Sequence, residues 1–205
     1  MNKLSVGAIT IAVGLALSSG ASAATAAMSK NEYKSEKDRI SSSYKADKDK
    51  CKSMSGNAKD ICNAEASGRE KVAKAELEAK YKPSDKANRK VRDEKAEADY
   101  KVAKEKCDDQ AGNAKDVCVK EAKAQLKSAK ADAKANKKVA EANADARNTS
   151  GKARNKANDK VADARKDAAE DKREANYDVA KEKCDSMSGA AKDRCIADAK
   201  ARYKK

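Results

Sequence analysis

Apolar positions recur along this chain at helical intervals. Tyr33, Ile40, Tyr44, Cys51 and Met54 step by 7, 4, 7 and 3 residues, and Ala96, Tyr100, Ala103, Cys107 and Ala111 by 4, 3, 4 and 4. Such steps return to one face of a helix with 3.6 residues per turn. The stripes are narrow and rich in alanine, which predicts close antiparallel packing of helix pairs instead of one broad core. Ser29 and Glu32 form a capping-box pattern that starts the first helix near Lys30. Pro83 ends a helix after Tyr81 and Lys82, Ser84 is placed to cap the next one, and Asn148 to Gly151 is a further break. The predicted helices run 29–55, 57–82, 84–111, 113–147, 152–188 and 190–205. Glu70/Lys74, Glu76/Lys80 and Glu97/Lys101 are spaced to pair along their own helices.

A repeat overlies this pattern. YKADKDKCKSMSGNAKDIC begins at Tyr44, YKVAKEKCDDQAGNAKDVC at Tyr100 and YDVAKEKCDSMSGAAKDRC at Tyr177. Each copy holds two cysteines with ten residues between them: Cys51 and Cys62, Cys107 and Cys118, Cys184 and Cys195. On an unbroken helix, residues eleven apart lie about 16 Å from each other, whereas a disulfide needs Cα atoms within about 7 Å. Each pair therefore closes on itself only where the chain reverses. Gly56, Gly112 and Gly189 supply the left-handed residue that ends a helix. Asn57 and Asn113 follow as N-cap candidates, with Asp60 and Asp116 three residues on; the third copy has Ala190, which predicts a weaker restart. The spacing also permits cross-links between two parallel chains on one stripe. Glycine in the middle of every copy favours three αα-hairpins, each pinned by its own disulfide. Zinc fits poorly, because no C-x(2-4)-C knuckle and no histidine is present, so no metal site is assigned.

Lys3 precedes an apolar run from Leu4 to Leu17 and then Ser18 to Ala23, the pattern of a secretory signal cleaved between Ala23 and Ala24. The run is short of the ~20 residues that span a bilayer, so no retained anchor is expected. The domain reading is a cleaved signal over 1–23, hairpin 1 over 24–82, hairpin 2 over 83–147 and hairpin 3 over 148–205. Export to an oxidising compartment agrees with paired cysteines, and the expected location is periplasmic or secreted.

Composition narrows the fold further. Of 205 residues, 40% are charged, Phe and Trp are absent and the aromatics are six tyrosines, which excludes a thick globular core. Hydrophobicity and charge alone resemble a disordered chain. Strong helix formers and the confinement of glycine and proline to a few places favour thin helices instead, with fraying expected over the Ala/Lys/Asp tract at 128–170. The fold class read from the sequence is all-α: elongated αα-hairpins, coiled-coil-like and partly low in complexity.

The formal net charge is +14. A surface of that sign favours anionic partners, which in an envelope are lipopolysaccharide, phospholipid or wall polymer. No aromatic stacking platform or nucleic-acid-binding motif is present, so no specific nucleic acid is expected. Neither is enzymatic activity. With no histidine, no nucleophile elbow, no phosphate loop and no dinucleotide fingerprint, the chain offers no catalytic residue and no cofactor-binding residue.

The run EAKAQLKSAKADAKANKKVAEANADAR from Glu121 to Arg147 resembles the long helical middle domain of TolA, the envelope protein of the Tol-Pal system. The GNAKD-plus-cysteine segments resemble exported bacterial proteins often labelled as cell-envelope biogenesis proteins. That resemblance implies an envelope role without a defined activity. KANDKVADARKDAAEDKRE is similar to the eleven-residue motifs of late embryogenesis abundant proteins, which implies protection during drying or osmotic stress as an alternative function. The terminus Ala201-Arg202-Tyr203-Lys204-Lys205 resembles the end of the major murein lipoprotein, which implies attachment of Lys205 to peptidoglycan as a third. The leading expectation is a non-enzymatic, exported, structural or envelope-associated helical protein.

Overall fold

A computed structural model describes residues 28–147 and 151–205, and the expected signal and its cleavage site at Ala23 and Ala24 lie outside them. The protein is all-helical. Among the described residues six helices follow one another: α1 Lys30–Lys52, α2 Gly56–Tyr81, α3 Asp85–Cys107, α4 Gly112–Arg147, α5 Gly151–Cys184 and α6 Gly189–Tyr203.

The starts of α1 and α3 follow from their first residues. The Ser29 hydroxyl accepts from the Glu32 backbone N–H at 3.2 Å while the Glu32 carboxylate accepts from the Ser29 N–H at 2.7 Å, so two helix-end donors are satisfied reciprocally. Beyond Pro83, the Ser84 hydroxyl accepts from the Ala87 N–H at 3.1 Å. The three repeat glycines have φ of +54°, +55° and +55°, the left-handed region the reversal requires. They occupy a different place from the one predicted. Instead of ending the preceding helix, each is the first residue of the next, and α1, α3 and α5 stop four or five residues before it. The reason lies in Ser55 and Ser188, which are extended and turn the chain before the glycine redirects it. Met54 consequently leaves the stripe of α1 and is exposed, as is Ala111.

Among the described residues each helix packs only against the helix before it and the helix after it, giving a single row of antiparallel rods. The alternation places all three cysteine-bearing bends at one edge of the row. The α2/α3 connection lies at the opposite edge, with Tyr33 at the start of α1 stacked on Tyr81 at the end of α2, centroids 4.4 Å apart.

The core is made of alanine. Besides Leu77 and the first cysteine of each pair, the buried apolar side chains are Ala66, Ala75, Ala122, Ala199 and two matched series. One series is Ala124, Ala131, Ala135 and Ala142 on α4; the other is Ala157, Ala164, Ala168 and Ala175 on α5. Both step by 7, 4 and 7, so the α5 series is the mirror of the α4 series about their connection. Alanine at the seam lets two backbones approach closely, and each carries at most about 0.8 kcal/mol per buried carbon, so the row gains stability from length.

Ion pairs flank this seam as a ladder. Glu121–Lys183, Lys127–Asp178, Asp132–Lys172, Lys138–Asp167 and Asp145–Lys160 join α4 to α5, and the sign alternates from rung to rung on each helix. Solvated pairs of this kind contribute at most about 1 kcal/mol each. Their effect is on register: a slip of α4 along α5 separates the partners of every rung. The described residues of the tract at 128–170 are helical, with this seam and ladder along them. Only one of the three same-helix pairs expected from spacing forms, Glu70–Lys74. Glu76 is paired instead with Lys95 on α3, and Glu97 with Lys130 on α4, because neighbouring rods bring those ammonium groups closer than the helix's own turn does.

Helices α2 and α3 approach closely at Gly68. A Cβ placed there would lie 2.9 Å from the Ala98 Cβ and 3.6 Å from its Cα, inside van der Waals contact. Gly68→Ala should gain about 1 kcal/mol of helix propensity and lose about 1–3 kcal/mol to overpacking. The expected net result is a lower urea midpoint with an unchanged slope, the reverse of what glycine-to-alanine does on an exposed helix face.

Candidate functional surface

The bends at the cysteine edge are built from residues that sequence spacing singled out. Cys51–Cys62, Cys107–Cys118 and Cys184–Cys195 are disulfide-bonded, with Cα atoms 5.6, 5.6 and 5.7 Å apart. The first cysteine of each pair is fully enclosed, at 0, 0 and 1% exposure, and no free thiol is present among the described residues. Two bends carry a strut: the Asp108 carboxylate meets Lys115 at 3.0 Å, and Asp185 meets Lys192 at 2.9 Å. The first bend has Lys52 at that position, and this side chain turns back to Asp49 on its own helix at 2.7 Å.

Asn57 and Asn113 do not cap their own helices. Each lies one residue inside its helix, and its side-chain amide reaches across the row instead. Asn57 Nδ2 donates to the Glu105 carbonyl at 2.7 Å, and Asn113 Nδ2 donates to the Glu182 carbonyl at 3.1 Å. Those carbonyls belong to the last turns of α3 and α5, where each also accepts from one backbone N–H, of Asp108 and of Asp185, at 3.0 Å, so the amide is a second donor. Each hairpin thus caps the next one, and this explains Ala190. Among the described residues α6 packs against α5 alone, so no such carbonyl stands beside the third bend. The expected weaker restart of α6 is not seen in its backbone, since α6 begins after an extended Ser188 just as α2 begins after an extended Ser55, neither with a side-chain cap. Asn57→Ala and Asn113→Ala should each cost about 0.5–1.5 kcal/mol, and Ala190→Asn should recover nothing; chemical denaturation of the three variants checks this.

The electrostatics of the surface are set by ion pairing. Arg69 beside Asp47 holds that carboxyl below its usual range, Lys138 does the same for Asp167 and Lys192 for Asp185, while backbone and hydroxyl bonds from Ser29 lower Glu32. Asp49 raises the Lys52 ammonium, Asp167 raises Lys138, and the Glu78 carboxylate, as acceptor, raises the Tyr33 phenol. Depressed carboxyls contribute stability that is present above their unfolded pKa and lost as pH falls through the folded value. Raised lysines and tyrosine contribute stability present below their unfolded pKa and lost as pH rises through the folded value. With no histidine in the chain, no side-chain type that titrates here has a reference pKa between about 5 and 9. The expected melting temperature is therefore flat across that window, falling below about pH 4 and above about pH 10, as calorimetry across the range would record.

No family model, curated protein or solved structure matches this chain. The surface therefore stands on its own chemistry. It offers struts, staples and charge, and no cluster of three or more metal-ligating side chains occurs among the described residues. No described helix is long and apolar enough to cross a membrane. Three disulfides place the folded chain in an oxidising, non-cytoplasmic environment. Lys205 is exposed just beyond α6, its backbone N–H bonded to the Lys200 carbonyl at 3.0 Å.

The cross-row bonds of Asn57 and Asn113 and the two aspartate struts were missed in the sequence. One signal was available: asparagine follows the glycine in the first two copies and not in the last.

Proposed function

We propose that this is a non-enzymatic, exported structural protein of the bacterial envelope, a pinned helical row whose basic surface contacts anionic envelope polymers or lipids. The observation that carries the reading is the charge imbalance of the row. Lys and Arg number 48 against 34 Asp and Glu, so one-to-one pairing of every acid leaves 14 cations to other anions, or 13 once Lys3 leaves with the leader. Acids on every helix from α1 to α5 are used between or within rods, as in Asp47–Arg69, Glu76–Lys95, Glu97–Lys130 and Asp132–Lys172. The unmatched cations are therefore what an approaching surface meets, and phosphate-bearing lipid, lipopolysaccharide or wall polymer fits them. The leader-like first 23 residues and the disulfides support export to the periplasm.

Cosedimentation with vesicles tests this. Binding to phosphatidylglycerol vesicles at low salt, none to phosphatidylcholine, and loss of binding between about 20 and 300 mM NaCl are expected, since the screening length falls from about 20 Å to about 6 Å over that range. Equal retention on both lipids, or none on either and none on lipopolysaccharide, would remove the reading. The stress-protectant alternative predicts a chain largely unfolded in buffer that gains helix on drying. The caps, staples and ladder support a chain already helical in dilute solution, and circular dichroism separates the two.

A further inference from the structure

The outward seam between α2 and α3 opens into a groove of about 780 Å³ whose floor is Gly68, Val72, Ala73, Ala98, Val102 and Ala103. A second groove of about 720 Å³ lies between α4 and α5, with Ala124, Ser128, Ala129, Val179 and Ala180 in its lining and Arg202 and Tyr203 of α6 at its side. The two are the same feature repeated. Displacement by 56 residues carries the α2 lining onto that of α4, and displacement by 77 carries the α3 positions onto α5, the same displacements that relate the cysteine pairs.

The rim of the first groove is ordered by charge. Away from the cysteine edge, α2 presents Glu65, Arg69 and Glu76, and α3 presents Lys106, Asp99 and Lys95 in the same order. The two sides have opposite signs at every level; within the chain Arg69 also bonds Asp47 of α1 at 3.1 Å and lies 3.7 Å from Glu65, and the bond between Glu76 and Lys95 at 2.7 Å closes one end. Such a rim is complementary to itself. When a second copy lies face to face about a two-fold axis parallel to the helices, α2 of each copy faces α3 of the other. All three levels then meet opposite charges, twice over. A two-fold axis perpendicular to the helices sets α2 against α2, with Glu65 opposite Glu76, Arg69 opposite Arg69 and Asp99 opposite Asp99. That arrangement is repulsive throughout.

We infer that the α2/α3 groove is a homodimer surface, joining two chains through a four-helix bundle about an axis parallel to the rods. Its floor has the small residues that let helices approach to about 8–10 Å, and Val72 and Val102 supply the apolar contact that alanine alone lacks. The interface is isologous, as a two-fold pair requires. The α4/α5 groove is the weaker copy. Ser128 replaces Val72, Gln125 and Asn176 replace Arg69 and Asp99 together, and Glu121–Lys183 and Asp132–Lys172 bridge both of its ends within one chain. A lined length of about 16 Å, three helical turns, makes a small contact, so association is expected in the micromolar range.

Sedimentation equilibrium on the oxidised chain tests it, with far-UV circular dichroism and thermal melting of every variant as the control for folding. The weight-average mass should rise from one chain to two between about 1 µM and 1 mM, and V72D or V102D should abolish the rise with the helix signal intact. E76K and K95E should each weaken association at least tenfold, because each sets like charges across the two-fold. Mixed in equal amounts they should associate as tightly as the native chain, since E76K supplies two lysines where K95E supplies two glutamates. That rescue cannot arise from a folding defect in either variant. A native chain that stays monomeric across the range, a dimer indifferent to V72D, or single variants that fail to rescue each other overturns the inference. A monomer whose Val72 and Val102 methyl resonances shift with dodecylphosphocholine overturns it too, in favour of a lipid occupant.

Discussion

Reduction of the three disulfides should unfold most of this protein at 37 °C, seen as loss of the 222 nm circular dichroism band when a phosphine reductant is added to the folded chain. Each staple closes a short loop around a bend, with cysteines 11 apart in sequence, and constrains the unfolded chain by about 3 kcal/mol. Against this the row holds one buried residue larger than cysteine, Leu77, and a seam of alanines. Whole domains are stable by about 5–15 kcal/mol, so losing three staples removes an amount comparable with the total. The staples are not equivalent. Serines at Cys184 and Cys195 should release α6 alone, because its 15 residues pack against α5 only and carry a single buried side chain, Ala199. An unsupported helix of that length is marginal in water. Serines at Cys107 and Cys118 should lower the melting temperature of the row as a whole, since α3 and α4 have neighbours on both sides. A reduced chain with an unchanged helix signal would mean that the ladder and the alanine seam suffice.

The second large effect is expected from a conservative-looking change. Ala168 on α5 packs with Ala131 and Ala135 on α4 in one buried cluster, at 7, 4 and 8% exposure. Leucine at position 168 adds three carbons where the helices have no room. It should cost about 1–3 kcal/mol, and more when Ala135→Leu is added, because the two rods must separate to admit both side chains. Separation also stretches the neighbouring rungs Asp132–Lys172 and Lys138–Asp167. Ala140→Leu, on an exposed position of the same helix, should change stability by no more than about 0.5 kcal/mol. Thermal melts of the three variants decide the matter. A melting temperature raised by Ala168→Leu would show that the seam is loose and that added apolar volume outweighs the displacement.

Much of the architecture was legible because the relevant forces act locally. Capping at Ser29 needs Glu32 three residues away, the break at Pro83 needs a ring and a missing N–H, and reversal at Gly56, Gly112 and Gly189 needs a backbone without Cβ. Eleven-residue cysteine spacing becomes a disulfide constraint as soon as helix rise is considered. The candidate surface was legible only as a charge balance, since 48 cations against 34 anions is a property of composition.

Partners that lie far apart in sequence were not legible. Asn57 reads as a helix cap beside its glycine, yet Glu105 lies 48 residues away and became its acceptor only because α3 ends beside the start of α2. Spacing assigned Glu76 to Lys80 and Glu97 to Lys101, and the adjoining rods supplied Lys95 and Lys130 instead. Lysine and glutamate side chains reach across a rod contact as easily as along a turn, so sequence distance does not rank their choices. By itself, then, the sequence determined which segments are helical, where the chain reverses and which cysteines meet, because propensity, stereochemistry and loop geometry are settled within about a dozen residues. Only the tertiary structure decided that the hairpins join in one row, which carbonyl each asparagine caps and how the ion pairs interlock, because those depend on which rods stand side by side.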